Sequence, residues 1–302
     1  MRELLPQIDG WLKNHDKIAV ATVIQTWGSS PRGIGAKMVM TRDGKIAGSV
    51  SGGCVEGAVF EEGVQSLKTA EPRYLHFGVA DETTWHVGLA CGGQVDVFVQ
   101  PLDEQFFRQM RQRLVARQGF ATATVVDGPE DRLGWELLVT KDDLKTRVRK
   151  DDLREILFDM TSQALLDGRS RLVDVQLAPG KAGKVFVEVV APPAKLVMVG
   201  GVHTSIVLAQ LAALLGFETI VIDPRKAFAN LERFGHVDHL IQAWPEDAFP
   251  QVEIHDNTAI AVLTHDPKID DPALMYALNT PAFYVGALGS TRTQAMGSSP
   301  NN

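Results

Sequence analysis

The sequence predicts an α/β protein: an N-terminal α+β domain with a small mixed sheet, then a Rossmann-like doubly wound parallel sheet that is incomplete at its end. Three observations carry this. Short runs rich in Val, Ile and Thr, separated by turn residues, dominate the first part of the chain. After Pro192-Pro193 the pattern changes to continuous apolar strands alternating with helices. The first crossover there carries Gly200-Gly201, with an acid, Asp223, roughly 20 residues on, as in dinucleotide folds.

In order, residues 3–14 read as an amphipathic helix with Leu4, Leu5, Ile8, Trp11 and Leu12 on one side. Residues 17–26 read as a strand running into the turn-rich Trp27-Gly28-Ser29-Ser30-Pro31-Arg32-Gly33. Residues 36–41 and 45–50 form a hairpin across Arg42-Asp43-Gly44, because Asp-Gly between apolar runs favours a tight turn. Val55, Val59, Gly63 and Leu67 then fall at helical spacing. Residues 73–77 make a strand, 78–93 a long polar and aromatic loop, 94–100 a half-buried strand and 103–118 a helix. The first domain is expected to span 1–118. A mostly β connecting subdomain follows at 119–191, with strands at 120–126, 135–140, 171–177 and 185–190 and a helix at 153–166. The third region, 195–302, alternates strands at 195–200, 218–223, 258–264 and 283–286, and a weaker one near 239–242, with a helix at 203–215.

The chain of 302 residues has a net charge of −7, which argues against nucleic acid or an anionic membrane surface as partner. The N-terminus lacks an apolar signal region, and no stretch approaches the roughly 18 apolar residues of a membrane span. A cytoplasmic protein is expected.

The chemistry is expected in residues 48–57, Gly-Ser-Val-Ser-Gly-Gly-Cys-Val-Glu-Gly, which hold one of only two cysteines. A strand followed by a helix places Cys54 at a helix start, where the macrodipole lowers a thiol's pKa and seats an anion. The competing reading is a small apolar residue in a tight turn. The second cysteine mirrors the first, Gly52-Gly53-Cys54 against Cys91-Gly92-Gly93. Reduced cytoplasmic thiols fit a shared soft-ligand or sulfur-handling site better than a disulfide. Arg32 can stand next to an anion or be a solvated surface arginine. In the second sheet, Gly200, His203, Asp223, Thr264, His265, Asp266 and Gly286 fall at the carboxyl ends of the strands, where ligands bind in such folds. The dinucleotide fingerprint is damaged, because Val202 and Ser205 stand where it has Gly and Gly or Ala. His236 and His239 have a metal-like spacing but no partner ligands in the pattern.

Gly28-Ser29-Ser30-Pro31-Arg32, Gly35-Ala36-Lys37-Met38, Gly48-Ser49-Val50-Ser51-Gly52-Gly53-Cys54-Val55-Glu56 and Cys91-Gly92-Gly93 together resemble the N-terminal domain of the XdhC/CoxI family. Asp223-Pro224-Arg225, Thr264-His265-Asp266 and Gly286-Ala287-Leu288-Gly289-Ser290 resemble its Rossmann-like C-terminal domain. The resemblance implies an accessory factor that binds the molybdenum cofactor (molybdopterin). It implies sulfuration of that cofactor with a cysteine desulfurase, and delivery to apo xanthine dehydrogenase or a related molybdenum hydroxylase. On it, the cofactor-binding residues are Arg32, Ser51, Gly52, Gly53, Cys54, Glu56, Cys91, Gly92, Gly93, Gly200, His203, Asp223, His265 and Asp266, with Cys54 and Cys91 as molybdenum or sulfur contacts. A homodimer is compatible with it. After Gly-Ser-Thr-Arg-Thr at 289–293 the family pattern continues through a further helix, whereas this chain runs to Gly-Ser-Ser-Pro-Asn-Asn, so a truncated second domain is expected. The alternatives are an NAD(P)-dependent oxidoreductase built on the second sheet, weakened by Val202, and a nucleotide-sensing interaction protein.

Overall fold

The computed structural model describes residues 1–78, 92–145, 152–178 and 180–289. The chain divides into two compact units, Met1–Pro192 and Pro193–Asn302. The expected connecting region at 119–191 thus packs within the same unit as residues 1–118.

In the first unit, helix α1 (Leu5–Lys13) precedes strands β1 (Ile18–Trp27), β2 (Lys37–Thr41) and β3 (Ile46–Gly48). Helix α2 (Glu56–Thr69), strands β4 (Arg73–Phe77) and β5 (Gln94–Pro101) and helix α3 (Glu104–Val115) follow. The sheet order is β3-β2-β1-β5-β4. Its described pairings are all antiparallel, a narrower arrangement than the mixed sheet expected, because each strand returns beside its predecessor or closes on β1. A second antiparallel sheet, ordered β7-β6-β9-β8, is built from β6 (Phe120–Asp127), β7 (Glu136–Thr140), β8 (Arg171–Ala178) and β9 (Lys181–Val190), with α4 (Asp152–Asp167) packed on it.

Strand alternation decides which faces are buried. Ala19, Ala21 and Val23 of β1, with Val95, Val97 and Val99 of β5, point to α2 and pack on Val55 and Val59. Ile18 and Val20 point the other way, to Ile8 of α1 and Phe107, Met110 and Leu114 of α3. Further along that face, Ile24 and Phe98 meet Val126 and Phe186 of the second sheet. Strand β5 is therefore buried on both faces rather than half-buried as its alternation suggested, and Asp96, on the side of Phe98, is only 4 % exposed. Between the sheets, the buried Lys37 ammonium lies 2.8 Å from Glu188 of β9 and donates to Thr22 at 3.2 Å.

The second unit carries a five-stranded parallel sheet ordered β12-β11-β10-β13-β14. Its strands are β10 (Lys195–Val199), β11 (Glu218–Ile222), β12 (His239–Ile241), β13 (Thr258–Val262) and β14 (Tyr284–Ala287). Its helices are α5 (His203–Leu214), α6 (Leu231–Phe234), α7 (Pro245–Ala248) and α8 (Pro267–Ala277). Alternate residues of the central strand β10 go to opposite faces, Val197 and Val199 with Ile269, Ala273 and Ala277 of α8, and Leu196 and Met198 with Ala209 and Ala212 of α5. This is the doubly wound arrangement expected. No helix among the described residues is long and apolar enough to cross a membrane.

Candidate functional site

The turn-rich segments of the first unit meet at one end of its antiparallel sheet. The registers Thr22↔Lys37, Met38↔Gly48, Trp27↔Gln94 and Phe77↔Val95 place the loops after β1, after β3 and before β5 at that end. The packing is close. A Cβ at Gly93 would stand 2.1 Å from the carbonyl oxygen of Ser29, and one at Gly52 would touch the Pro31 ring at 3.4 Å. The loop 28–33 thus lies against both glycine pairs. Gly48, at φ +79°, lets the chain leave β3 across the Lys37 carbonyl, which any side chain there would strike at 2.3 Å.

Within the loop 49–55 the hydrogen bonds converge on Glu56, the first residue of α2. Its Oε1 accepts from Ser49 Oγ at 2.6 Å, Ser51 N at 2.9 Å, Gly52 N at 3.0 Å and Val50 N at 3.2 Å. Its Oε2 accepts from Ser51 Oγ at 2.5 Å and Gly53 N at 2.8 Å. Burial works against the charge, but the serine hydroxyls and backbone amides outweigh it and pull the carboxyl down to about 2. Ser51 is fully buried, and its oxygen also accepts from Cys54 N and Val55 N, both at 3.0 Å. Successive amides pointing into one concavity form an anion nest. The anion seat expected beside Cys54 is therefore filled by the chain's own carboxylate.

Cys54 precedes the helix rather than opening it, half-buried and packed against the core cluster that includes Val50 and Val55. Arg32 pairs with Glu3 at 3.7 Å, its side chain 38 % exposed. A Cβ at Gly53 or Gly92 would meet nothing within 4 Å among the described residues. Cys91 and the expected long loop lie outside the described residues, apart from Gly78, Gly92 and Gly93.

One constellation at this end escaped the sequence reading. Asp96 accepts from Tyr74 through Oδ2 and stands 2.6 Å from His76 Nδ1 through Oδ1. His76 is half exposed, and its ring meets that of Trp27 edge to face, with centroids 6.1 Å apart. Burial, then the bond to Asp96, raises the Tyr74 hydroxyl well above its usual range. The available signal was Tyr74 and His76 two apart on a strand, opposite an acid set among valines.

In the second unit Asp223 is fully buried and its oxygens are engaged: Gly201 N donates at 2.7 Å, and Arg225 donates through its amide, Nε and Nη2 at 2.9, 2.9 and 2.7 Å. Those bonds hold it below the usual carboxylate range against the opposing effect of burial. Gly200 packs on Thr264, and Gly201 lies under the Phe228 backbone. Asp266 caps α8 through Lys268 N at 3.1 Å, while His203 and His265 are exposed, His265 at φ +61°. The structure thus gathers Gly200, Gly201, Asp223 and Arg225, but into a closed turn.

Two family models match this chain. The model of the XdhC and CoxI family matches residues 11–78, and that of the XdhC Rossmann domain matches residues 196–298. The chain belongs to the XdhC/CoxI family. The N-terminal XdhC match takes in the loops 28–33 and 48–55, Glu56 and His76. A relative in Bacillus subtilis, described as a probable xanthine dehydrogenase subunit, is 27 % identical over 290 residues, 94 % of this chain and 82 % of that protein. The molybdenum cofactor insertion chaperone PaoD of Escherichia coli is 25 % identical over 278 residues, 92 % and 68 % of the two chains. A crystal structure from Bacillus halodurans, described as a xanthine dehydrogenase, shares the fold with a TM-score of 0.70 at 21 % identity, covering all of this chain and 86 % of the other.

Proposed function

We propose that this XdhC/CoxI protein binds the molybdenum cofactor as cargo at the loop-bearing end of its N-terminal sheet. It then delivers the cofactor in the cytoplasm to apo xanthine dehydrogenase or a related molybdenum hydroxylase. The observation that carries this is the convergence of loops 28–33 and 48–55 with Gly92-Gly93, seen in the approach of Ser29 to Gly93 and of Pro31 to Gly52. The names of the relatives from B. subtilis and E. coli supply the cargo and the recipient.

The residues suit part of that cargo. Cys54 offers a soft sulfur beside the uncovered backbone of Gly53, which fits a sulfur-ligated metal group. The nest does not suit the cofactor's phosphate while Glu56 fills it, so the phosphate is held elsewhere, with Arg32 the solvent-accessible cation of the motif. On this reading Cys91 supplies a second soft sulfur, a cysteine desulfurase supplies the sulfur to be transferred, and the protein acts as a chaperone rather than a catalyst. An NAD(P) role for the second unit finds no support in Asp223, whose oxygens already serve Gly201 and Arg225.

The test is transfer. Cofactor-loaded protein mixed with an apo hydroxylase should restore its activity, and the Cys54→Ala protein should restore several-fold less. Equal activation by the variant contradicts the assigned site.

A further inference from the structure

We propose that His76, oriented by Asp96 and flanked by Trp27, is a ligand-contacting residue that hydrogen-bonds the edge of a planar heterocycle. Resting on the proposed function, that heterocycle is the pterin of the molybdenum cofactor.

The geometry fixes the chemistry of the imidazole. An ionised carboxylate only accepts hydrogen bonds, so His76 Nδ1, 2.6 Å from Asp96 Oδ1, carries the proton and donates it. That leaves Nε2 as an acceptor on the neutral ring and as a donor once the ring is charged. A pterin edge offers both N–H donors and ring-nitrogen and carbonyl acceptors, so either form has a partner. Asp96 is 4 % exposed, on a strand buried on both faces, and burying a carboxylate costs stability unless its oxygens are bonded. Tyr74 takes the other oxygen, so both sides of the carboxylate are satisfied and the imidazole is held in one orientation.

Position supports the role. His76 is the penultimate residue of β4, at the sheet end where the loops 28–33 and 48–55 gather. Its side chain is 54 % exposed and Trp27 is 41 % exposed, so an imidazole and an indole reach solvent side by side. The rings sit edge to face at 68°, so the imidazole is not stacked on the indole, which is itself part exposed.

The experiment loads the full-length protein with molybdenum cofactor released from a denatured molybdoenzyme, desalts it, and measures retained pterin after oxidation to its fluorescent form. His76→Ala should retain at least tenfold less than the unaltered protein, Trp27→Ala several-fold less, and His239→Ala, which removes an exposed histidine of the second unit, the same amount. Asp96→Asn should lower retention through His76, so His76→Ala combined with Asp96→Asn should be no worse than His76→Ala alone. A purely structural aspartate would add its loss to that of the histidine. If His76→Ala does not fold, His76→Gln keeps a polar side chain on the strand and is read in its place. Unchanged retention in a folded His76 variant, alongside loss in Cys54→Ala, overturns this contact and leaves the proposed function standing. Absence of pterin from the loaded unaltered protein overturns both.

Discussion

The Ser51 amide donates to the Glu56 carboxylate at 2.9 Å across a loop that also carries Cys54, and every backbone amide from Val50 to Gly53 points to that same carboxylate. The loop that holds Cys54 is thus folded around an anion belonging to the chain itself. Glu56→Ala should cost roughly 1–3 kcal/mol, the usual cost of leaving buried donors unsatisfied. It should also speed alkylation of Cys54. Formate, small enough to enter the nest, should slow alkylation again in Glu56→Ala and have no effect on the unaltered protein. A variant indifferent to formate contradicts the nest.

The same carboxylate gives a pH dependence. Its pKa falls from 4.5 to about 2 on folding, so its contribution is complete above the unfolded value and is lost as pH falls from about 4.5 toward 2. Over that window the unaltered protein should lose more stability in chemical denaturation than Glu56→Gln does.

Glu136 should behave in the opposite sense. Part of the residue stays exposed, but its carboxyl lines the cavity between the two sheets of the first unit, where burial and then the charge of Asp103 push it up to about 8. The folded state binds the extra proton between pH 4.5 and 8, so this group's contribution fades as pH rises through that range. Glu136→Gln should remove that decline, and its unfolding midpoint should exceed that of the unaltered protein at pH 9.

The buried pair Lys37–Glu188 joins the motif strand β2 to the second sheet. Lys37→Met should cost about 3–5 kcal/mol, because it strands a carboxylate away from water. Lys37→Met with Glu188→Leu should recover most of that loss in urea denaturation.

In the second unit, the engagement of Asp223 by Gly201 and Arg225 leaves no carboxylate oxygen for a ribose. Neither the unaltered protein nor Val202→Gly should bind NAD with micromolar affinity by calorimetry. Micromolar binding that is unchanged by Val202→Gly would show that the closed turn does not govern access.

Most of the strands were legible because their apolar spacing is local: the hairpin across Asp43-Gly44 and the parallel strands β10, β11 and β13 follow from period and turn residues alone. Helix α8 was not legible, since Pro272 interrupts its pattern. The glycine loops were visible as composition, and that they share a sheet end follows from strand order. What the sequence hid was who satisfies whom. Glu56 reads as a helix-start acid facing a ligand, yet it turns back on its own loop. Asp223 reads as a ribose acid, yet it closes its own turn. Asp96 reads as an outward polar residue because the second sheet, which buries that face, comes from residues far along the chain. Each depends on contacts that periodicity does not encode.

The most direct test of the central claim is whether the protein, purified from cells that make molybdenum cofactor, carries molybdopterin, detected by oxidation to its fluorescent pterin. Pterin is expected in the unaltered protein, with a several-fold loss in a folded Cys54→Ala variant. No pterin in the unaltered protein, or equal pterin in both, would contradict the claim.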